Sequence, residues 1–199
     1  MYHTKLEDKI SQSNGEAMYL CGIDEAGRGP LAGPLTIAGV ILHRPIDGLN
    51  DSKKLSEKKR ESLFDEIIAN STYHIVRFDS STIDQFGLSH CLSSGLREIM
   101  SAIGEADYLY DGNCSFGIAN LKTLVKADAT VPEVSAASIL AKVTRDREMV
   151  ELAPLYPQYG FEGHKGYGSS MHIEAIREYG YCEIHRKSFK LKSLQPALF

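Results

Sequence analysis

The sequence predicts an α/β protein: a sheet of mixed strand order with a helical appendage at the C-terminal end. Three observations carry this. Two apolar, partly β-branched runs stand close together early in the chain, joined by a short Gly/Pro-rich connection. A third strand follows, and then a helix–strand–strand–helix series. The last segment is aromatic, glycine-rich and finally basic, with one more helical stretch in it. Runs of strand and helix in that order build a layered sheet with crossover connections.

The elements follow in order. Residues 1–17 read as a short helix or a loose arm. Met18 to Cys21 is an apolar run that reads as a first strand, and Leu31 to Leu42 as a second. Their closeness makes an antiparallel hairpin the simplest pairing. Ser56 reads as an N-cap, with a helix behind it to about Asn70 and Leu63, Phe64, Ile67 and Ile68 on one face. Thr72 to Phe78 is a third strand. Ser81 to Ile103 is helical with a break at Gly87. Tyr108 to Tyr110 ends a fourth strand, and Leu121 to Ala127 is a fifth. Val134 to about Leu152 reads as a long amphipathic core helix, with Pro132 near its first turn, where a missing N–H costs nothing. Tyr156 to Tyr167 is expected to be a loop, and Ser170 to Tyr179 the last helix.

The 199 residues suit one domain with a small appendage, and 43% apolar with 24% charged residues is the make-up of a globular chain with a core. We divide it at residue 152: a body of 1–152, and an appendage of 153–199 with a basic tail. No apolar run reaches the roughly 18 residues of a membrane span. The polar start, Met1 to Glu16, does not resemble a secretory signal. Cys21, Cys91, Cys114 and Cys182 are scattered without a CxxC pair, which suits reduced thiols and a cytoplasmic location. A net charge of −4 argues against nucleic-acid binding by bulk charge alone, yet the basic residues cluster: Lys53, Lys54, Lys58, Lys59 and Arg60 in one group, His185, Arg186, Lys187, Lys190 and Lys192 in another.

Chemistry concentrates in Gly22-Ile23-Asp24-Glu25-Ala26-Gly27-Arg28-Gly29-Pro30-Leu31-Ala32-Gly33-Pro34. Gly and Pro break pairing, and adjacent acids are costly to bury without a partner. The economical reading is a strand that ends in a site. Asp24 and Glu25 would hold a cation, and the turn at Gly27, Arg28 and Gly29 would let backbone approach an anionic ligand. Consecutive strand side chains point to opposite faces. Glu25 therefore joins Asp24 only if the strand twists or ends there, or contributes through its carbonyl instead.

Two further acids end apolar runs: Asp111 in Asp-Gly-Asn, and Asp128 in Lys-Ala-Asp. They are 17 residues apart, about two strands and their connection, so adjacent strands would bring both beside Asp24. Carboxylates that converge repel unless cations lie between them. Hard oxygen donors with no His or Cys cluster select Mg²⁺ or Mn²⁺, and two such ions suit in-line phosphodiester hydrolysis. In the long helix Ser138, Lys142 and Arg145 share a face that would meet a phosphate backbone. Gly163 to Gly168 is a glycine-flanked loop carrying Tyr167, while His164 and His172 read as lone histidines, structural or solvent-facing.

The stretch from Gly22 to Pro34, together with Ser135-Ala136-Ala137-Ser138-Ile139-Leu140-Ala141-Lys142-Val143-Thr144-Arg145-Asp146, resembles the signatures of the ribonuclease HII family, of bacterial type. The resemblance covers roughly residues 19–189. It implies an RNase H-like fold, a five-stranded mixed sheet with helices on both faces. It implies a monomeric endoribonuclease that hydrolyses the RNA strand of RNA–DNA hybrids. It also implies cutting 5′ of single ribonucleotides in duplex DNA, leaving 3′-hydroxyl and 5′-phosphate ends. By the same resemblance Asp24, Glu25, Asp111 and Asp128 are the catalytic, metal-binding acids for two Mn²⁺ or Mg²⁺ ions. Gly27, Arg28 and Gly29 would read the ribose 2′-hydroxyl, Tyr167 would lie on the neighbouring sugar, and Lys53 would contact phosphate. The family's usual Lys-Gly-Asp is Lys126-Ala127-Asp128 here, which predicts a different local turn. Glu133 departs from the family's small or neutral residue. Gln195, Leu198 and Phe199 of the tail resemble a bacterial sliding-clamp-binding pentapeptide, with Pro196 in place of the commoner Leu. A DNA resolvase on the same sheet, or a non-catalytic hybrid-binding module, would be the rival readings.

Overall fold

A computed structural model describes residues 19–50 and 52–189 of the chain. The expectations for the N-terminal arm, for Lys190 and Lys192, and for the tail residues Gln195, Leu198 and Phe199 lie outside these residues. The sheet has five strands in the order β3-β2-β1-β4-β5. They are β1 (Leu20–Ala26), β2 (Leu35–Leu42), β3 (Ser71–Phe78), β4 (Asp107–Tyr110) and β5 (Leu121–Thr123). β1 pairs antiparallel with β2 and β2 with β3, while β4 runs parallel to β1 and β5 parallel to β4. Among the described residues there are six α-helices: α1 (Glu57–Ala69), α2 (Ser80–Phe86), α3 (Leu88–Ile103), α4 (Pro132–Leu152), α5 (Phe161–His164) and α6 (Ser170–Tyr179).

Local signals worked where they act over a few residues. Ser56 caps α1, its hydroxyl accepting from the Lys59 N–H. Gly87, at φ 82°, separates α2 from α3. Pro132 opens α4. Strand ends moved. β1 does not stop at Cys21 but continues through both acids, because Asp24 and Glu25 pair in register with Ala38 and Ile37. β2 begins at Leu35, so Leu31 to Pro34 belong to the loop. β5 stops at Thr123, and a 3₁₀ turn, Ala127–Ala129, carries the last acid. The expected loop over 156–167 contains a 3₁₀ turn, Pro157–Tyr159, and the short α5.

The sheet is covered on both faces. On one, Cys21, Ile23, Ile37 and Tyr110 pack with Leu92, Leu96 and Ile99 of α3. On the other, Ala38 and Val40 meet Leu63 and Ile67 of α1 and the Ala136–Ala141 stretch of α4. α4 is not amphipathic over this stretch: Val134 to Ala141 are buried on every side, as befits a helix sandwiched between sheet and α1. Gly22 permits this, since a Cβ there would lie 2.3 Å from the backbone of Glu133. A third apolar group joins Leu31 and Ala32 to Met149, Tyr159, Phe161 and Ile176, and so ties the β1–β2 loop to the elements after residue 152.

Candidate active site

The sheet order brings three acids to one edge. β4 lies beside β1 with Tyr110 opposite Ile23, so the next residue, Asp111, emerges beside Asp24, its N–H donating to the Ile23 carbonyl at 2.9 Å. β5 lies beside β4, and the turn after it returns Asp128 to the same place. Carboxylate oxygens of Asp24, Asp111 and Asp128 gather within 4.8 Å of one another. Both oxygens of Asp111 are held by backbone, from the N–H of Lys126 at 2.9 Å and of Asp128 at 3.2 Å. The residue in the left-handed region is Lys126, at φ 62°, not Ala127. Alanine therefore serves where the family's usual pattern has glycine. The Asp128 carbonyl accepts from the buried Ser135 hydroxyl of α4.

Asp24 is 7% exposed, and burial with Glu25 and Asp111 nearby drives its carboxyl well above the ordinary range. Glu25 obeys strand alternation. It points to the face of Tyr110 rather than into the three-acid cluster, although it lines the same cleft. Its Oε1 accepts from Arg28 Nη1 at 3.2 Å, and its buried carboxylate faces the buried Tyr110 hydroxyl. Burial raises the Glu25 carboxyl, with Tyr110 and Arg28 opposing.

This donor set fits a hard divalent cation. Three carboxylates converge, and two of them, Asp24 and Asp128, are almost wholly buried. The cleft, of about 500 Å³, is also lined by Arg28, Lys53, Lys54, Asn113 and Lys126.

A second groove, of about 560 Å³, adjoins it and shares Glu25, Arg28 and Lys53. Of the residues singled out from the sequence for substrate contact, Gly27, Arg28, Gly29, Lys53, Ser138, Lys142 and Tyr167 line it, and Arg145 does not. Ser138 is buried and shares a 2.8 Å hydrogen bond with Ser52. Lys142 donates to Asp146 at 2.8 Å and lies 5.5 Å from the Tyr167 ring centroid. Arg60, which the sequence placed only in a basic cluster, donates to the carbonyls of Ser52 and Leu55 at 2.8 and 2.6 Å. It thereby fixes the turn that carries Lys53. Its place in a basic cluster gave no sign of this.

Three expectations need correction. Arg145 does not join Ser138 and Lys142 on a phosphate-facing surface. It is 0% exposed and donates to the carbonyls of Pro34, Ala32 and Lys165. Nor do His185 and Arg186 belong to a basic patch, since both are buried. His164 and His172 are not lone: their rings stack at 4.5 Å, and His172 Nε2 lies 3.0 Å from His185 Nε2. No helix of the described residues is long and apolar enough to cross a membrane. All four cysteines are free. Nothing in the structure explains Glu133.

The family model described as Ribonuclease HII matches residues 21–192. A ribonuclease HII of Sulfurovum sp. (strain NBC37-1) is 60% identical over 185 residues, 92% of this chain and 98% of that protein. One from Aliarcobacter butzleri (strain RM4018) is 62% identical over 177 residues, 88% and 92% of the two chains. Among solved structures, the chain is similar to the PCNA:RNase HII complex from Archaeoglobus fulgidus, with a TM-score of 0.77 and 27% identity over 91% of this chain and 98% of that one.

Proposed function

This chain belongs to the ribonuclease HII family and is an endoribonuclease acting on RNA–DNA hybrids, and from that premise we propose that it also cuts 5′ of single ribonucleotides in duplex DNA, leaving 3′-hydroxyl and 5′-phosphate ends. One observation carries this reading: the Gly27–Gly29 turn and Tyr167 line a single groove that opens onto the three-acid cleft. A sugar held there sits next to the acids, and only the 2′-hydroxyl distinguishes RNA from DNA at such a position.

Asp24, Asp111 and Asp128 would hold Mg²⁺ or Mn²⁺, with Glu25 adjoining. Bound there, two such cations supply Lewis acidity to the attacking water and the leaving 3′-oxygen. The chain's own residues do the rest. Backbone N–H groups hold both Asp111 oxygens still, so the acid presents one fixed geometry. Lys53, set by Arg60, and Lys142 bring positive charge to the groove for the phosphates on either side of the cut. Tyr167 offers an apolar ring face to a sugar without reading its base. We read residues 153–199 as the appendage that supports this ring, and the cytoplasm as the site of action. The Archaeoglobus relative was solved with PCNA. On that likeness and its own sequence we assign the tail Gln195-Pro196-Ala197-Leu198-Phe199 to docking on a sliding clamp. Changing Leu198 and Phe199 to Ala should abolish capture by the clamp, and retained capture would remove that assignment.

The experiment is cleavage of duplex DNA carrying one ribonucleotide, with Mg²⁺, Mn²⁺ or EDTA, beside an all-DNA duplex and a long RNA–DNA hybrid. Metal-dependent cutting 5′ of the ribonucleotide, lost in Asp111→Asn, is expected. Cutting of the long hybrid alone would overturn the single-ribonucleotide reading. Undiminished turnover in Asp111→Asn would overturn the site.

A further inference from the structure

Arg145 and Arg186 are 0% and 1% exposed, yet each is an arginine. Burial and the Arg145 charge pull Arg186 down to about 9, so it remains cationic at neutral pH. A buried guanidinium is costly unless its donors are satisfied. Those of Arg186 are satisfied by one loop. Nε donates to the Gly33 carbonyl at 3.0 Å, Nη2 to Pro34 at 2.9 Å, and Nη1 to Arg28 at 3.3 Å. Arg145 lies against the same loop from α4, also bonding Pro34.

The Arg28 contact has a geometric consequence. There are no cis peptide bonds among the described residues. In a trans peptide the N–H points opposite to the C=O. Drawing the Arg28 carbonyl inward to Arg186 turns the Gly29 N–H outward. Gly29 is exposed, and nothing lies within 4 Å of where its Cβ would be. Its N–H makes no backbone hydrogen bond among the described residues, and it lines the groove that Tyr167 also lines.

We infer that Arg186 is a specificity-positioning residue: by holding the Arg28 carbonyl in the core, it aims the Gly29 N–H into the groove as a preset donor for the ribose 2′-hydroxyl. The inference rests on the reading of that groove as the place where the sugar is sensed. A donor already oriented needs no reordering on binding. A site built to bond a hydroxyl discriminates against the ligand that lacks it. Arg186 touches no substrate and acts only through the turn.

The test uses full-length Asp24→Asn protein, made inactive, and measures Kd for a duplex with one ribonucleotide and for the all-DNA duplex of the same sequence. Arg186→Lys is then added. Lysine keeps the charge but lacks the fork that holds three carbonyls at once. The ratio of the two affinities should fall about tenfold, the worth of one hydrogen bond, mainly through the ribonucleotide duplex. Parallel weakening of both duplexes, or an unchanged ratio, would overturn the inference and leave the groove reading standing. Equal binding of the two duplexes by Asp24→Asn alone would overturn both. Should Arg186→Lys fail to fold, the ¹⁵N–¹H resonance of Gly29 in Asp24→Asn protein decides. It should shift distinctly with the ribonucleotide duplex, and identical shifts with both duplexes would overturn the inference.

Discussion

Asp128 donates its backbone N–H to Asp111 Oδ2 at 3.2 Å while its own carboxylate joins the same cluster. The turn that delivers one acid thus orients the other. Lys126 closes on the remaining Asp111 oxygen, so that both oxygens are acceptors. Asparagine at 111 would offer one acceptor and would aim an N–H at an N–H. Asp111→Asn should therefore disturb the 126–128 turn, at a cost of about 1–3 kcal/mol. Turnover should fall on the order of 10³-fold, about 4 kcal/mol of transition-state stabilisation. Denaturant melts and single-turnover cleavage check the two effects separately. Full turnover with an intact turn would contradict the arrangement.

Asp24 behaves oppositely in the metal-free protein. Burial raises its carboxyl, with Glu25 and Asp111 adding to the shift. A raised acid stabilises the fold while protonated, below its unfolded value, and loses that contribution as pH rises through the folded value. Ionising Asp24 is therefore a net strain on the metal-free fold. Asp24→Asn should raise the melting temperature in EDTA by roughly 2–4 °C, the shift that about 1 kcal/mol produces in a chain of this size. The wild type should gain stability on adding Mn²⁺, and the variant much less. A lower melting temperature for the variant in EDTA would show that the carboxylate is already compensated.

Signals confined to a few neighbours were legible in the sequence. Ser56, Gly87 and Pro132 each mark an end by chemistry that acts within one turn. The mixed five-stranded sheet followed from element order and from the family resemblance together. Strand ends were less legible, because pairing across the sheet decides them: the apolar run ends at Cys21, yet Asp24 and Glu25 pair with Ala38 and Ile37. The gathering of Asp24, Asp111 and Asp128 was anticipated from acids at the ends of apolar runs. The separation of Glu25 from them followed the alternation that left its role open. Arg145 and Arg186 were misread as surface charge. All but one of their carbonyl partners lie 111 to 158 residues away, and only the folded chain reveals them.

Gly27 and Gly29 differ despite standing in one short motif. Gly27 has φ 100°, and a Cβ there would fall 2.4 Å from the Pro34 carbonyl and 2.5 Å from Arg145 Nε. Gly27→Ala should cost about 1–3 kcal/mol through backbone strain, beyond the clash with the buried loop, and should lower activity with it. Gly29→Ala meets nothing within 4 Å and should fold like the wild type. Thermal melts of the two variants, side by side, check this, and equal destabilisation would refute the assigned turn.

Tyr167 is held from behind through a chain of two histidines. Its carbonyl accepts from His172 Nδ1 at 2.9 Å, which makes His172 Nε2 an acceptor for the His185 Nε2–H at 3.0 Å. His185 Nδ1 then accepts from the Cys182 N–H at 2.9 Å. Every ring nitrogen is used with both rings neutral, and a further proton has no acceptor. Burial, with His172 beside it, lowers His185 to about 4, and burial also lowers His172. His164 and Lys187 add further opposing charge at His185. The unfolded chain binds protons near pH 6.5 while the folded chain resists them down to about 4, so stability falls as pH drops through that window. The loss assigned to His185 is on the order of 2–3 kcal/mol. His185→Gln should be less stable than the wild type at pH 7.5 and should show a flatter decline between pH 6.5 and 4. Urea melts across that range check it. Parallel declines in the two proteins would mean that carboxylates elsewhere, and not this histidine pair, set the acid sensitivity.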